Sequence, residues 1–101
     1  MSRFSIKDLA RCRELIDQLD VFLLDLLNSR TQIVEEIGRI KQELQLAIYE
    51  PKREDQVFFN VLQHNRGPLP DDAVKRIFER VIDEMRTVQK IKMLERNEAA
   101  K

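Results

Sequence analysis

Residues 6–44, IKDLARCRELIDQLDVFLLDLLNSRTQIVEEIGRIKQEL, set the architecture, because an apolar seam runs through all of them. With Leu9 at heptad position a, the a series is Leu9, Ile16, Leu23, Arg30, Ile37 and Leu44, and the d series is Cys12, Leu19, Leu26, Ile33 and Ile40. Arg30 is the one break in that seam. The adjoining e positions are Arg13, Asp20, Leu27, Val34 and Lys41, so two more cations border the stripe that the pattern predicts to be buried.

Burying a cation costs several kcal/mol before any partner is counted, so each such position calls for an anion. Asp20 lies on that face, whereas Glu35, Glu36 and Glu43 lie mostly on others. A bound anion and an internal ion pair are both open at this point. At about 1.5 Å per residue, Arg30 and Lys41 stand about 16 Å apart along the axis and nearly in line, close enough for long side chains to converge on a small ligand. Arg13 is about 25 Å from Arg30 on a straight helix and cannot join them within one chain. In an antiparallel pair with its dyad near Leu23 and Leu24, Arg13 of one copy falls beside the Arg30–Lys41 segment of the other, giving two shared sites.

Length points to the same pairing. A chain of 101 residues forms at most one domain, with a radius of gyration of about 13 Å if compact. A helix of nearly 40 residues is about 58 Å long and would protrude from such a globule unless a second copy covered it. Lysine plus arginine equals aspartate plus glutamate at 18 each, which argues against a nucleic-acid or membrane-surface footprint. One cysteine, Cys12, excludes an intrachain disulfide, and its seam position suits a packed thiol. No apolar run reaches membrane-spanning length and Met1 to Ile6 hold no signal core, so the expected location is cytoplasmic.

Ser5, with Asp8 three residues on, predicts the N-cap of the first helix. Gly38 is its interior glycine; it permits close approach of a backbone or ligand near Lys41, or else sits on the outer face. Glu50-Pro51 marks a second helix, Pro51 to about Asn65, with the acidic residue serving the cap and Val57, Phe58, Val61 and Leu62 as its apolar face. Arg53 and Glu54 stand one turn before that face, at the edge of whatever it covers. The turn-rich stretch from His64 to Pro70 follows, and its histidine reads as a solvated loop residue. A third helix starts at Asp71 and Asp72 and runs to about residue 95, with a stripe of Val74, Ile77, Phe78, Val81, Ile82, Met85 and Val88. Gln89, a neutral amide, continues that stripe. Glu95 to Lys101 are expected to fray.

The chain is therefore expected to be all-α, with three helices, the first very long. The polar residues at the edges of its apolar faces are Arg13, Arg30, Lys41, Arg53, Glu54 and Gln89. Arginine suits bidentate carboxylate recognition, while lysine and an amide each donate to a single oxygen, so the set describes a pocket for a small dianion with a further polar group. The alternative is a network of internal salt bridges, such as Arg53 or Arg30 with Asp20 or Glu54. No glycine-rich phosphate loop, paired-carboxylate motif, nucleophile elbow or metal-ligand spacing is found, and no cofactor is expected.

Arg13-Glu14-x-Ile16-Asp17-x-Leu19-Asp20, Leu26-Leu27-x-x-Arg30, Gly38-x-x-Lys41, Tyr49-Glu50-Pro51-x-Arg53-Glu54 and the late Gln89 together resemble the all-helical, AroQ-class chorismate mutases over nearly the whole chain. The resemblance implies an intertwined homodimer of three-helix chains that converts chorismate to prephenate by a Claisen rearrangement. It further implies that Arg30 and the other subunit's Arg13 hold the two carboxylates, that Lys41 and Gln89 donate to the ether oxygen, and that Glu54 accepts from the substrate hydroxyl. Arg53 then adds positive potential, and the backbone near Glu50 closes the site. Met85 stands where some members carry a small polar residue, so it is expected to shape the pocket wall. A pericyclic rearrangement needs no nucleophile, metal or general base; clamping a reactive conformer and stabilising the oxygen that gains charge are enough. Two competing readings are an isochorismate pyruvate lyase on a similar scaffold and a non-catalytic helical dimer that serves a partner enzyme or is activated by one.

Overall fold

The computed structural model describes residues 5–101, so Met1 to Phe4, part of the stretch read above as lacking a signal core, lie outside the described residues. Three helices form: α1 (Ile6–Glu43), α2 (Pro51–His64) and α3 (Asp71–Ala99). Among the described residues no helix is long and apolar enough to cross a membrane. The chain divides into two compact units, one ending at Gln32 and the other spanning Ile33–Lys101.

The first unit is the greater part of α1. Asp8 accepts from both the backbone N–H and the hydroxyl of Ser5, at 2.9 and 3.1 Å, which satisfies a donor that the helix start would otherwise leave open. Arg11 and Glu14 pair at 3.1 Å on the exposed surface, a local contact worth a few tenths of a kcal/mol. The a and d side chains are not covered within the chain: Leu9 is 49% exposed and Leu26 68%, with Ile16, Leu19 and Leu23 between them. Phe22 and Leu24 are open as well.

In the second unit the last turns of α1 bury a different face from the one the heptad singled out. Val34, Gly38 and Lys41 are buried, spaced four and three residues apart on one side of the helix. Ile33, Ile37 and Ile40, the seam residues, stay exposed. Within one chain the packed side of α1 is therefore that of Val34, Gly38 and Lys41, next to the a and d seam and not the seam itself. The apolar surface of α1 is wider than a single stripe, and the intrachain contact takes the side where Gly38 has no Cβ to hold the neighbour off.

The core around that contact is thin: Val74, Ile82 and Met85 of α3 and Val34 of α1 are its buried apolar residues. α2 packs on α3, and its Val57, Phe58, Val61 and Leu62 are half-buried. Asn65 organises the turn between them, donating to the Leu69 carbonyl at 2.8 Å and to Asp71 at 2.7 Å while accepting from the Gly67 N–H at 3.1 Å. Gly67 has φ of 68°, a left-handed conformation that a Cβ would strain. His64 closes α2 rather than lying in the loop, exposed, with Nδ1 2.7 Å from the Asn60 carbonyl.

The expectation of a frayed tail is overturned, because α3 continues to Ala99. Arg96 donates to Gln42, and Gln42 donates in turn to Asn97 at 2.7 Å, so two residues of the supposedly loose tail are tied to the end of α1. These are hydrogen bonds between side chains 54 and 55 residues apart, which no local propensity encodes.

Candidate active site

The site is built around the way α1 ends. Gln45 adopts a left-handed φ of 58°, the Leu46 N–H reaches back to the Lys41 carbonyl at 2.7 Å, and the Gln45 N–H to the Gln42 carbonyl at 3.2 Å. This pair of bonds is the Schellman pattern, with glutamine where glycine is usual. It reverses the chain, so that residues 46–50 return over the last turn of α1.

Lys41 receives what that reversal delivers. It is 9% exposed, and its ammonium donates to the Ile48 carbonyl at 3.0 Å and pairs with Glu50 Oε1 at 2.5 Å. A buried cation with two oxygens in reach is compensated, and with three N–H donors it retains one. One expectation for Glu50 changes here: its carboxylate makes no cap hydrogen bond to α2 and pairs with Lys41 instead.

Gln89 comes from α3. It is 8% exposed, and its Nε2 donates to the Val34 carbonyl at 3.3 Å. One amide hydrogen is thereby used and the other is left. A Cβ added to Gly38 would meet Gln89 Cγ at 3.4 Å and Arg96 Nη2 at 3.7 Å. Of the two readings of Gly38, close approach is the one that holds: the glycine admits the Gln89 side chain, and the outer-face alternative fails. Met85, one turn earlier on α3, is buried in the core.

Glu54 forms an ion pair, with a partner outside the pairs considered from sequence. Arg86 Nη2 donates to Glu54 Oε2, and the two side chains are each about three-quarters buried. Arg86 also stands 3.6 Å from Asp83, and its Cζ lies 5.0 Å from the centre of the Tyr49 ring. The bond to Glu54 raises the Arg86 pKa above its ordinary value, against the opposing effect of burial. Arg53, in contrast, is exposed and reaches Gln56 at 3.5 Å. It is not brought to Lys41, Glu50, Gln89 or Glu54 by any hydrogen bond or ion pair among the described residues. Arg13 is exposed and Arg30 half-buried, both on the first unit.

The second unit thus gathers Lys41 with Glu50, Gln89 with Gly38 and Met85, and Glu54 with a new residue, Arg86. A signal for Arg86 was present: it follows Ile82 by four residues, on the edge of the stripe that also carries Gln89. Charge alone hid it among 18 lysines and arginines.

Residues 12–90 match the family described as chorismate mutase type II. A bifunctional chorismate mutase/prephenate dehydratase of Neisseria gonorrhoeae is 40% identical over 78 residues, which is 77% of this chain and 21% of that protein. The chain thus spans about a fifth of that relative's length. Among solved structures, chorismate mutase from Helicobacter pylori in complex with prephenate superposes with a TM-score of 0.80 at 33% identity, covering 86% of this chain and 94% of that one. Chorismate mutase (form II) from Thermus thermophilus gives 0.80 at 30% identity, covering 81% and 93%. An all-helical fold of three helices and a match to the family over residues 12–90 lead to one conclusion: the chain belongs to the type II chorismate mutase family.

Proposed function

We propose that the chain rearranges chorismate to prephenate, as a homodimer with two shared sites and no cofactor. The observation that carries the proposal is the pair of buried donors, Lys41 and Gln89, each fixed by one face of its polar group with a hydrogen to spare. Two preorganised donors, one charged and one neutral, suit an ether oxygen that gains negative charge as its carbon–oxygen bond breaks. Held in place before substrate arrives, they need little reorganisation during the reaction. Arg30 and Arg13 of the partner subunit then hold the two carboxylates and select the compact conformer in which the new carbon–carbon bond forms. Glu54 accepts from the substrate hydroxyl, Arg53 adds positive potential from the rim, and Glu50 fixes the ammonium of Lys41.

The homodimer is supported by the exposed seam of the first unit. A fully buried leucine contributes about 1.5 to 3 kcal/mol, and an antiparallel copy would cover Leu9, Ile16, Leu19, Leu23 and Leu26 together. The Helicobacter pylori relative holds prephenate, the product proposed here. Bifunctional relatives join chorismate mutase to prephenate dehydratase, which supports a role in aromatic amino acid biosynthesis beside an enzyme that consumes prephenate. A cytoplasmic setting suits Cys12, the single cysteine of the sequence, as a free thiol.

The test follows chorismate at its ultraviolet band with purified protein, identifies the product, and repeats the assay with Lys41→Ala and with isochorismate. Prephenate formation that collapses in the variant is the expected result. A folded protein that leaves chorismate untouched, or that releases pyruvate from isochorismate instead, would sink the proposal.

A further inference from the structure

The Glu54–Arg86–Tyr49 cluster joins three segments of the second unit: the return loop carries Tyr49, α2 carries Glu54, and α3 carries Arg86 and Asp83. None of the roles assigned above uses Arg86. We infer that Arg86 is a positioning residue for the rearrangement, fixing Glu54 as the acceptor of the substrate hydroxyl; the inference rests on the mutase reading proposed above.

A glutamate has three rotatable bonds, and one left loose near a site must be ordered when the substrate binds. Arg86 takes one carboxylate oxygen, Oε2, and leaves Oε1 to accept from a hydroxyl. Arg86 is itself held in place, since its Cζ lies over the Tyr49 ring, 5.0 Å from the centroid, and its other terminal nitrogen faces Asp83 at 3.6 Å. A planar guanidinium can stack and donate at its edge simultaneously, which an ammonium cannot do. Arg86 also lies three residues before Gln89 on α3, so one helix sets both the donor for the ether oxygen and the support for the hydroxyl acceptor. Tyr49 adjoins Glu50 and Ile48, the two partners of Lys41, so the stack also steadies the loop that aims the ammonium.

Direct contact between Arg86 and the substrate is the less fitting role, because its terminal nitrogens already face Glu54 and Asp83. The two roles differ in a double-mutant cycle. Arg86→Met, Glu54→Gln and the double variant are purified, their thermal unfolding compared with wild type, and kcat and KM measured separately. Arg86→Met is expected to lower kcat/KM about 10- to 100-fold, chiefly through kcat. In the Glu54→Gln background the same change is expected to cost no more than about twofold, since a residue that acts through Glu54 has nothing left to act on. Arg86→Lys is expected to fall between wild type and Arg86→Met, and its own cycle with Glu54→Gln carries the test should Arg86→Met fail to fold.

An Arg86 variant within about twofold of wild type, or losses that simply multiply in the double variant, would overturn the inference while leaving the mutase reading intact. Wild-type protein inactive on chorismate would overturn both. The two failures are therefore distinguishable from the wild-type assay alone.

Discussion

The two units differ in how much of their charge and apolar surface the chain itself covers. From Ile33 onward, Lys41 finds acceptors in Glu50 and Ile48 and Arg86 finds one in Glu54, while Arg96 donates through Nε to Gln42 and keeps Nη2 buried without a partner among the described residues. Before it, α1 carries its leucines and isoleucines largely exposed, with local pairs such as Arg11 and Glu14 on its surface. One helix runs through both, so helix propensity cannot be the cause. What differs is whether the chain supplies a neighbour. The second unit has α3 and the return loop to pack against; the first has an apolar seam whose partner, on the proposal above, is another copy.

Lys41 gives the hardest test of this contrast. Lys41→Ala removes the buried donor and is expected to lower kcat about 100- to 1,000-fold, with the fold retained by circular dichroism. A loss below about tenfold would mean that the pairing of Lys41 with Glu50 is structural only. The first unit is tested at its seam. Leu23→Glu places a charge at the proposed dyad on both copies and is expected to weaken self-association by at least about 100-fold. Sedimentation reads the change, and activity is expected to fall with it because, on the proposal above, the partner's Arg13 leaves the site. A variant that sediments and turns over like wild type would remove the reason offered for the exposed seam.

Gly38 separates packing from propensity in the second unit. Gly38→Ala meets Gln89 at ordinary contact distance and gains helix propensity of up to about 1 kcal/mol, so activity is expected to survive. Gly38→Leu displaces Gln89 and is expected to cost about tenfold or more in kcat. Because Gln89 has no titrating proton, wild-type turnover is expected to stay level between about pH 6 and 8. Gln89→Glu makes the donor titratable, so its rate is expected to fall as pH rises through the new carboxyl's pKa. A steep wild-type fall that the substitution only displaces would contradict that role. The smallest effect is expected at Gln45, whose left-handed φ costs a non-glycine residue about 1 kcal/mol. Gln45→Gly is expected to raise the melting temperature by a few degrees, to about 8 °C at most, without changing kcat.

Much of this molecule could be read before any coordinates. The 3.6-residue periodicity, Ser5 with Asp8, Pro51, and the paired aspartates at 71 and 72 set three helices, because caps and apolar spacing act within a few residues of where they are written. Lys41 and Gln89 stood out for a similar reason: a polar residue in an apolar stripe is anomalous in the sequence itself, and both are buried. Residue type and spacing also placed the chain in its family.

Which anomalies meet was settled by packing. Glu50 turned from a helix cap to the counterion of Lys41 because a left-handed residue at Gln45 brings the loop back. Arg86 became the partner of Glu54 across 32 residues, and Arg96 with Asn97 secured a tail expected to fray. Even the buried face of α1 near Gly38 was set by which neighbour arrives, since a helix with apolar residues on more than one side has no preference of its own. Local sequence fixes backbone dihedrals through short-range sterics and hydrogen bonds; the pairing of distant charges depends on where chain reversals put them, and that is a property of the packed whole.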